Sequence, residues 1–225
     1  MSTLYAIPTP LGGSPADSLS ESSLNTIRAL KDFAVENAKS ARAFLGGLGM
    51  PVRELNIEVL GEDVSVHLKG RDLGLLSEAG CPAIADPGAK LVEAAHAQGY
   101  RVVPLVGPSS IVMALMASGL EGQRFAFCGY LPREADARKK RIKELENRSR
   151  REDETEIFIE TPYRNDALFA ALLETCAETT RLCVAADLTL PGETILSLTI
   201  AAWRRRPEPP PGKRPAVFLL LAQGR

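Results

Sequence analysis

Two strand–turn–helix units in direct succession constrain this chain more than any other feature. In "LGLLSEAGCPAIADPGAKLVEAA", an apolar run stops at Ser77 and Glu78, crosses a turn rich in Gly and Pro, and becomes an amphipathic helix. Asp86 reads as its N-cap, with Pro87 at the first helical position and Gly99 as the stop. "YRVVPLVGPSS" repeats the pattern. Ser109 or Ser110 opens the next helix, with Ile111, Val112, Leu115 and Met116 on one side and Gly119 at its end. Two such units require parallel strands joined by right-handed crossovers.

The pattern extends in both directions. "TLYAI" is a strand that breaks at Pro8, Pro10, Gly12 and Gly13; a helix over "SESSLNTIRALK", a strand at "DFAVEN" and a helix over "AKSARAFLGGLG" follow. "VSVHL" alternates like an edge strand. Beyond Arg124, "RFAFCGYLP" and "ETEIFIETP" read as strands around a very basic helix from Glu134 to Arg150. A helix over "YRNDALFAALLETCAE" precedes strands at "RLCVAADL", "ETILSLTI" and "PAVFLLLA", with a helical turn near Trp203. The expected fold class is α/β in two domains: residues 1–120 around a mainly parallel sheet and 121–225 around a mixed one. "RRRPEPPPGKRP" is expected to be an exposed loop.

A chain of 225 residues buries about 70% of its unfolded surface, so it needs no disulfide or metal to hold a core. The formal net charge of -1 argues against a protein that coats nucleic acid non-specifically. The four cysteines form no C-x-x-C pair and the chain has two histidines, which argues against zinc. His67 reads as a strand residue and His96 as a helix-surface residue. No leader is visible and no apolar run nears the roughly 18 residues of a membrane span. The expectation is a soluble, cytoplasmic protein of a reducing compartment.

Ligands of an open parallel sheet sit beyond the carboxyl ends of its strands. Three turns fall there: "PTPLGGS", "SEAGCPAIADPG" and "VGPSS". They read either as tight connections or as backbone shaped around a small molecule, with helix N-termini suited to an anion. No P-loop or G-x-G-x-x-G is present. Ser109 and Ser110 read as helix caps rather than nucleophiles, and Cys81 as a buried structural thiol. The run "RKKR" reads as a solvated helix face, paired locally with Glu144 and Glu146.

The ordered blocks "PTPLGG", "SEAGCPAIADPG", "VVPLVGPSS", "ALMASGL", "FAFCGYLP" and "IETPYR" resemble the tetrapyrrole-methylase superfamily of S-adenosylmethionine-dependent methyltransferases. The similarity is greatest to the branch that includes the small-subunit rRNA cytidine 2′-O-methyltransferases. The resemblance implies two α/β domains with a cofactor cleft between them, a homodimer, and methyl transfer to RNA. It leaves a tetrapyrrole or other small-molecule acceptor, or a non-catalytic cofactor-binding protein, as alternatives. It implies cofactor contacts at Pro10 and Leu11, at Ser77, Glu78, Ala79, Gly80, Cys81 and Pro82, and at Pro108, Ser109 and Ser110. From the second half it adds Phe127, Tyr130, Glu160, Thr161, Asp187, Pro215 and Ala216.

Departures from that branch bear on the acceptor. Gly12-Gly13-Ser14 replaces G-N-L, Glu36-Asn37-Ala38-Lys39 replaces E-D-T-R, and Ala186-Asp187-Leu188-Thr189-Leu190 replaces R-E-L-T-K. Glu36 and Lys39 are the candidates for proton transfer; Arg42, Tyr163 and Arg164 are candidate substrate contacts. Glu36 could instead pair with Lys39 or Arg42, and Tyr163 could simply start a helix.

Overall fold

The structure is a computed structural model describing residues 1–206 and 211–222; part of the loop expected over "RRRPEPPPGKRP" therefore lies outside the described residues. The chain divides into two compact units, Met1–Ser109 and Ser110–Arg225.

The first unit holds β1 (Thr3–Ile7), α1 (Pro15–Ser18), α2 (Glu21–Ala29), β2 (Asp32–Val35), α3 (Ala38–Gly47), β3 (Asn56–Val59), β4 (Leu73–Leu76), α4 (Ala89–Ala97) and β5 (Arg101–Pro104). Its sheet runs β3-β2-β4-β1-β5, and every pairing is parallel. Side chains alternate between the two faces, as strand geometry requires. Ile7, Phe33, Val35 and Leu76 pack with Leu24, Ile27 and Leu45 on one face. Leu4, Ala34, Leu73 and Leu75 pack with Leu91 and Ala95 on the other. Gly74 is a packing requirement, since a Cβ there would lie 2.7 Å from Phe33 Cδ1 and 2.8 Å from Ile7 Cδ1.

Two expectations fail in this unit for local reasons. "VSVHL" is a 3-10 turn over Val64–His67, because Asp63 accepts hydrogen bonds from the Ser65 amide (3.0 Å) and hydroxyl (2.6 Å) and folds the backbone back on itself. His67 is therefore a buried turn residue, its Nδ1 3.1 Å from Glu58 Oε2. The sheet edge on this side is β3, with β5 at the other, and the half-exposed alternation of β3 is faint. Nor does Asp86 cap α4. Gly88, at φ 133°, takes the cap position without a side-chain bond, and the Ala83 amide donates to Pro87 O at 3.2 Å. Asp86 and Pro87 thus belong to the turn.

The second unit holds α5 (Ser110–Ser118), β6 (Phe125–Tyr130), α6 (Ala135–Glu152), β7 (Thr155–Ile159), α7 (Asn165–Thr175), β8 (Arg181–Ala186), β9 (Thr194–Thr199), α8 (Ile200–Arg204) and β10 (Ala216–Leu221). Its sheet order is β6-β7-β10-β8-β9; β6 and β7 are parallel and the other pairings antiparallel. The helix α5, placed by the sequence reading before a boundary at residue 120, packs on β8, β9 and β10 and so clusters with this unit. Phe158 and Phe218 stack at 6.0 Å, Phe169 meets Trp203 edge-on at 5.2 Å, and Trp203 Nε1 donates to Leu182 O at 2.8 Å. The basic helix α6 is laced with ion pairs, including Arg141–Glu144 at 3.2 Å and Lys143–Glu146 at 2.7 Å.

Candidate functional site

Because all five strands of the first sheet are parallel, their carboxyl ends share one edge. The turns after β1, β4 and β5 meet there. Thr9 and Gly80 exchange both backbone hydrogen bonds, at 2.8 and 2.9 Å, which clips the first turn to the second. Cys81 Sγ donates to Pro108 O at 3.4 Å, joining the second to the third. A Cβ on Gly80 would stand 3.3 Å from Leu11 Cδ2 and 3.9 Å from Pro108 O, and a Cβ on Gly107 only 2.5 Å from Pro8 Cβ. The structure thus brings Pro10, Leu11, the Ser77–Pro82 segment, Pro108 and Ser109 together; Ser110 begins α5. The Gly80 amide is spent on Thr9, so this residue offers no donor, and its lack of a side chain is what it contributes.

The conformation of the second turn explains its composition. Gly80 (φ 77°) and Gly88 (φ 133°) occupy backbone regions that side chains disfavour. Ala83 (φ 66°) and Ala85 (φ 64°) adopt left-handed conformations despite carrying a Cβ, which costs roughly 1–2 kcal/mol per residue. Such strain persists only where surrounding contacts enforce it, and it concentrates at functional sites.

Charge at this edge is acidic. The Glu78 amide donates to Glu36 Oε2 at 3.0 Å, and the Glu36 amide to Leu76 O at 3.1 Å. Glu36 therefore tethers the second turn to the end of β2. Its expected alternative partners, Lys39 and Arg42, are exposed on α3 and form no ion pair among the described residues. Asp86 is the residue the sequence reading missed. Burial, then repulsion from Glu36, pushes its carboxyl up to about 6, with Glu78 adding to the rise and the Ser77 hydroxyl opposing it. Burial also raises the Cys81 thiol, which agrees with a structural cysteine.

Asn37 ends the β2 turn by capping α3, its Oδ1 accepting from the Lys39 amide at 2.8 Å and the Ser40 amide at 3.4 Å. Asn37→Ala is expected to cost about 1 kcal/mol of stability, read as a lower midpoint in urea with an unchanged slope. A changed slope would mean that more than the cap was lost.

The expected residues of the second unit form two groups. Tyr130, 56% exposed, follows a register shift in β6 at Gly129 (φ 64°), and Phe127 precedes that shift, half-buried. Tyr130, Thr161 and Arg164 line a cavity of about 450 Å³ with Leu131, Pro132 and Arg133. Beside it, buried Glu160 is ion-paired with Arg164 and accepts the Thr161 amide at 2.7 Å. Asp187 (φ 52°), Pro215 and Ala216 lie at the same end of that sheet, one and two strands further along, since Val217 pairs with Ile159 and Ala216 with Ala186. The Asp187 amide donates to Pro215 O at 3.0 Å, its carboxylate is held by Arg214 Nε at 2.5 Å, and Ala216 pairs with Ala186. Tyr163 belongs to neither group. It stands 82% exposed in a 3-10 turn, with Lys213 Nζ 5.6 Å from its ring centroid.

The family model described as Tetrapyrrole (Corrin/Porphyrin) Methylases matches residues 25–203. The chain belongs to that family. This methyltransferase is 33% identical to the "Ribosomal RNA small subunit methyltransferase I" of Xylella fastidiosa, over 99% of this chain and 81% of that protein. It is 35% identical to the protein of the same name from Pseudomonas aeruginosa, over 88% of this chain and 71% of that one. Among solved structures, the methyltransferase CobJ superposes with a TM-score of 0.60 at 17% identity, covering 98% of this chain and 93% of that one. Diphthine synthase does so with a TM-score of 0.64 at 16% identity, covering 99% and 90%. Membership makes the chain an S-adenosylmethionine-dependent methyltransferase of the two-domain α/β type. Among the described residues, no helix is long and apolar enough to cross a membrane.

Proposed function

We propose that this methyltransferase acts on small-subunit ribosomal RNA, at a ribose 2′-hydroxyl, as a cytoplasmic homodimer. The observation that carries the site is the clipping of three loops by the reciprocal Thr9–Gly80 bonds. That edge fits the cofactor. Gly80, lacking a side chain, keeps free the space beside Leu11 Cδ2 and Pro108 O, which a Cβ would approach to 3.3 and 3.9 Å. Pro10, Leu11, Ser77, Glu78, Ala79, Gly80, Cys81, Pro82, Pro108 and Ser109 would hold it, with Ser110 at the start of α5. Phe127, Tyr130, Glu160, Thr161, Asp187, Pro215 and Ala216 are assigned to it on family resemblance. The carboxylates of Glu160 and Asp187 already hold Arg164 and Arg214, so what these two would offer is backbone.

The bound cofactor supplies a methyl group already activated by its sulfonium. The chain's residues supply position and a place for the proton. Alignment of this kind is worth roughly 7–11 kcal/mol in favourable intramolecular models. Glu36 fixes the second turn, and Asp86, whose affinity for a proton is raised toward working pH, receives the hydroxyl proton. Lys39, Arg42, Tyr163 and Arg164 are proposed to face the acceptor. The name these relatives carry favours RNA over a small molecule.

The test is transfer from labelled cofactor to unmethylated small-subunit rRNA and to assembled subunits, followed by mapping of 2′-O-methyl groups. Label at a ribose hydroxyl is the expected result. Calorimetric binding of the cofactor with no label on RNA would overturn the RNA acceptor, leaving a small-molecule acceptor or a protein that binds without transferring.

A further inference from the structure

The cavity of the second unit has a charge and shape that the cofactor assignment does not explain. It lies where the chain leaves β6 and β7, at the carboxyl ends of two parallel strands, the position at which open sheets bind ligands. Its volume of about 450 Å³ falls in the range of small-molecule sites. Two of its six lining residues are arginines and none is acidic. Two acidic residues adjoin the lining in sequence: Glu160, ion-paired with Arg164, and Glu134, spent as the N-cap of α6 with its oxygens accepting from the Asp136 and Ala137 amides at 3.0 and 2.7 Å.

Arg164 is held by neighbours that leave its hydrogen-bonding capacity unfilled. Glu160 pairs with one terminal nitrogen, and Nε donates to Thr161 Oγ1 at 3.3 Å. Nη1 is covered and has no acceptor, while Glu160 Oε2 has no donor. Buried groups without partners are rare and costly, so each calls for an explanation. Arg133 is exposed, and among the described residues its side chain has no carboxylate partner. Tyr130 adds a 56% exposed aromatic face to the wall. A cavity offering two guanidiniums, a phenol and a threonine hydroxyl, with no lining carboxylate, matches a phosphate group flanked by a nucleoside.

We propose that Arg133 and Arg164 form a phosphate subsite for the RNA backbone, with Tyr130, given to the cofactor above on family resemblance alone, instead the stacking surface for an adjoining base. This rests on the reading that the acceptor is RNA. Glu160 then acts as a positioning residue, fixing the guanidinium of Arg164 at the cavity wall. A phosphate oxygen would supply the acceptor that Arg164 lacks.

The experiment is fluorescence anisotropy of a labelled, unmethylated small-subunit rRNA fragment against the full chain over a range of salt. Calorimetry with S-adenosylmethionine runs beside it. Arg133→Ala is expected to weaken RNA binding about tenfold and to reduce the slope of log affinity against log salt by about 0.7. Arg133→Lys keeps the charge and should keep the slope. Arg164→Lys leaves Glu160 a cation and should lose affinity without unfolding, whereas alanine there would strand a buried carboxylate. Cofactor affinity should be unchanged in Arg133→Ala. If the wild type binds RNA and Arg133→Ala binds it with the same affinity and slope, the subsite is wrong and the RNA reading stands. Loss of cofactor binding instead of RNA binding would assign the cavity to the cofactor. A wild-type protein with no salt-dependent RNA binding would overturn both readings.

Discussion

Replacing Asp86 with asparagine is expected to make the protein more stable at neutral pH and nearly inactive. Both effects have one cause: a carboxyl placed where its charge is disfavoured. Burial comes first, followed by repulsion from Glu36, and together they raise the group to about 6, against an unfolded value near 3.9. The sign follows from proton linkage. Between those two values the folded chain holds a proton that the unfolded chain has released, so stability is fully present below about pH 4 and is lost as pH rises through about 6. Asparagine never ionises and escapes that loss. Its melting temperature should exceed the wild type's near pH 7 and match it near pH 4. Catalytically, a missing proton acceptor lowers turnover by about a hundredfold to ten-thousandfold. The wild-type rate should rise with pH through about 6, and that rise should vanish in the residual activity of Asp86→Asn. An asparagine variant that is less stable at pH 7, or that turns over normally, would remove Asp86 from the chemistry and make it a structural turn residue.

Asp86 also shows where the sequence could be read and where it could not. The strand–turn–helix units from Leu73 to Ser118 were legible because Gly and Pro restrict the backbone locally and apolar spacing marks the buried faces. Which of Asp86 and Gly88 caps α4 was not legible. That choice depends on Ala83 and Ala85 taking positive φ, and neither residue announces it. Glu36 is a second case. Lys39 and Arg42 stand near it in sequence, yet its carboxylate meets the amide of Glu78, 42 positions away, a contact set by sheet order. At "VSVHL" the alternation of apolar residues suits a strand, but the Asp63–Ser65 hydrogen bonds outweigh it. The helix α5 reads correctly as a helix, while its allegiance to the second sheet depends on packing that periodicity cannot report. Long-range partners and strained backbone were what the sequence withheld, and the carboxyl edge of the first sheet holds both.

Gly80→Val is expected to abolish cofactor binding while leaving a folded protein, and Gly74→Val to do the reverse damage. Both glycines are buried, but what surrounds them differs. At Gly74 a Cβ would meet the ring of Phe33 at 2.7 Å and Ile7 at 2.8 Å, inside a packed face. Overpacking there should cost about 1–3 kcal/mol or more, read as a large fall in the unfolding midpoint. At Gly80 the nearest atom is the flexible end of Leu11, at 3.3 Å. The valine amide and carbonyl can still exchange both bonds with Thr9, so the clip between the first two turns survives. The remaining cost is that of a φ of 77°, roughly 1–2 kcal/mol for a residue with a Cβ. That is a tolerable fraction of the usual ~5–15 kcal/mol of total stability. The valine branches, however, project among Leu11 and the Pro108 carbonyl, the surfaces assigned to the cofactor. Calorimetry with S-adenosylmethionine should show no binding, circular dichroism should match the wild type, and Gly80→Ala should fall between. A folded Gly80→Val protein with wild-type cofactor affinity would mean that the three turns clip together for structural reasons alone. The cofactor would then have to be sought away from this edge of the sheet.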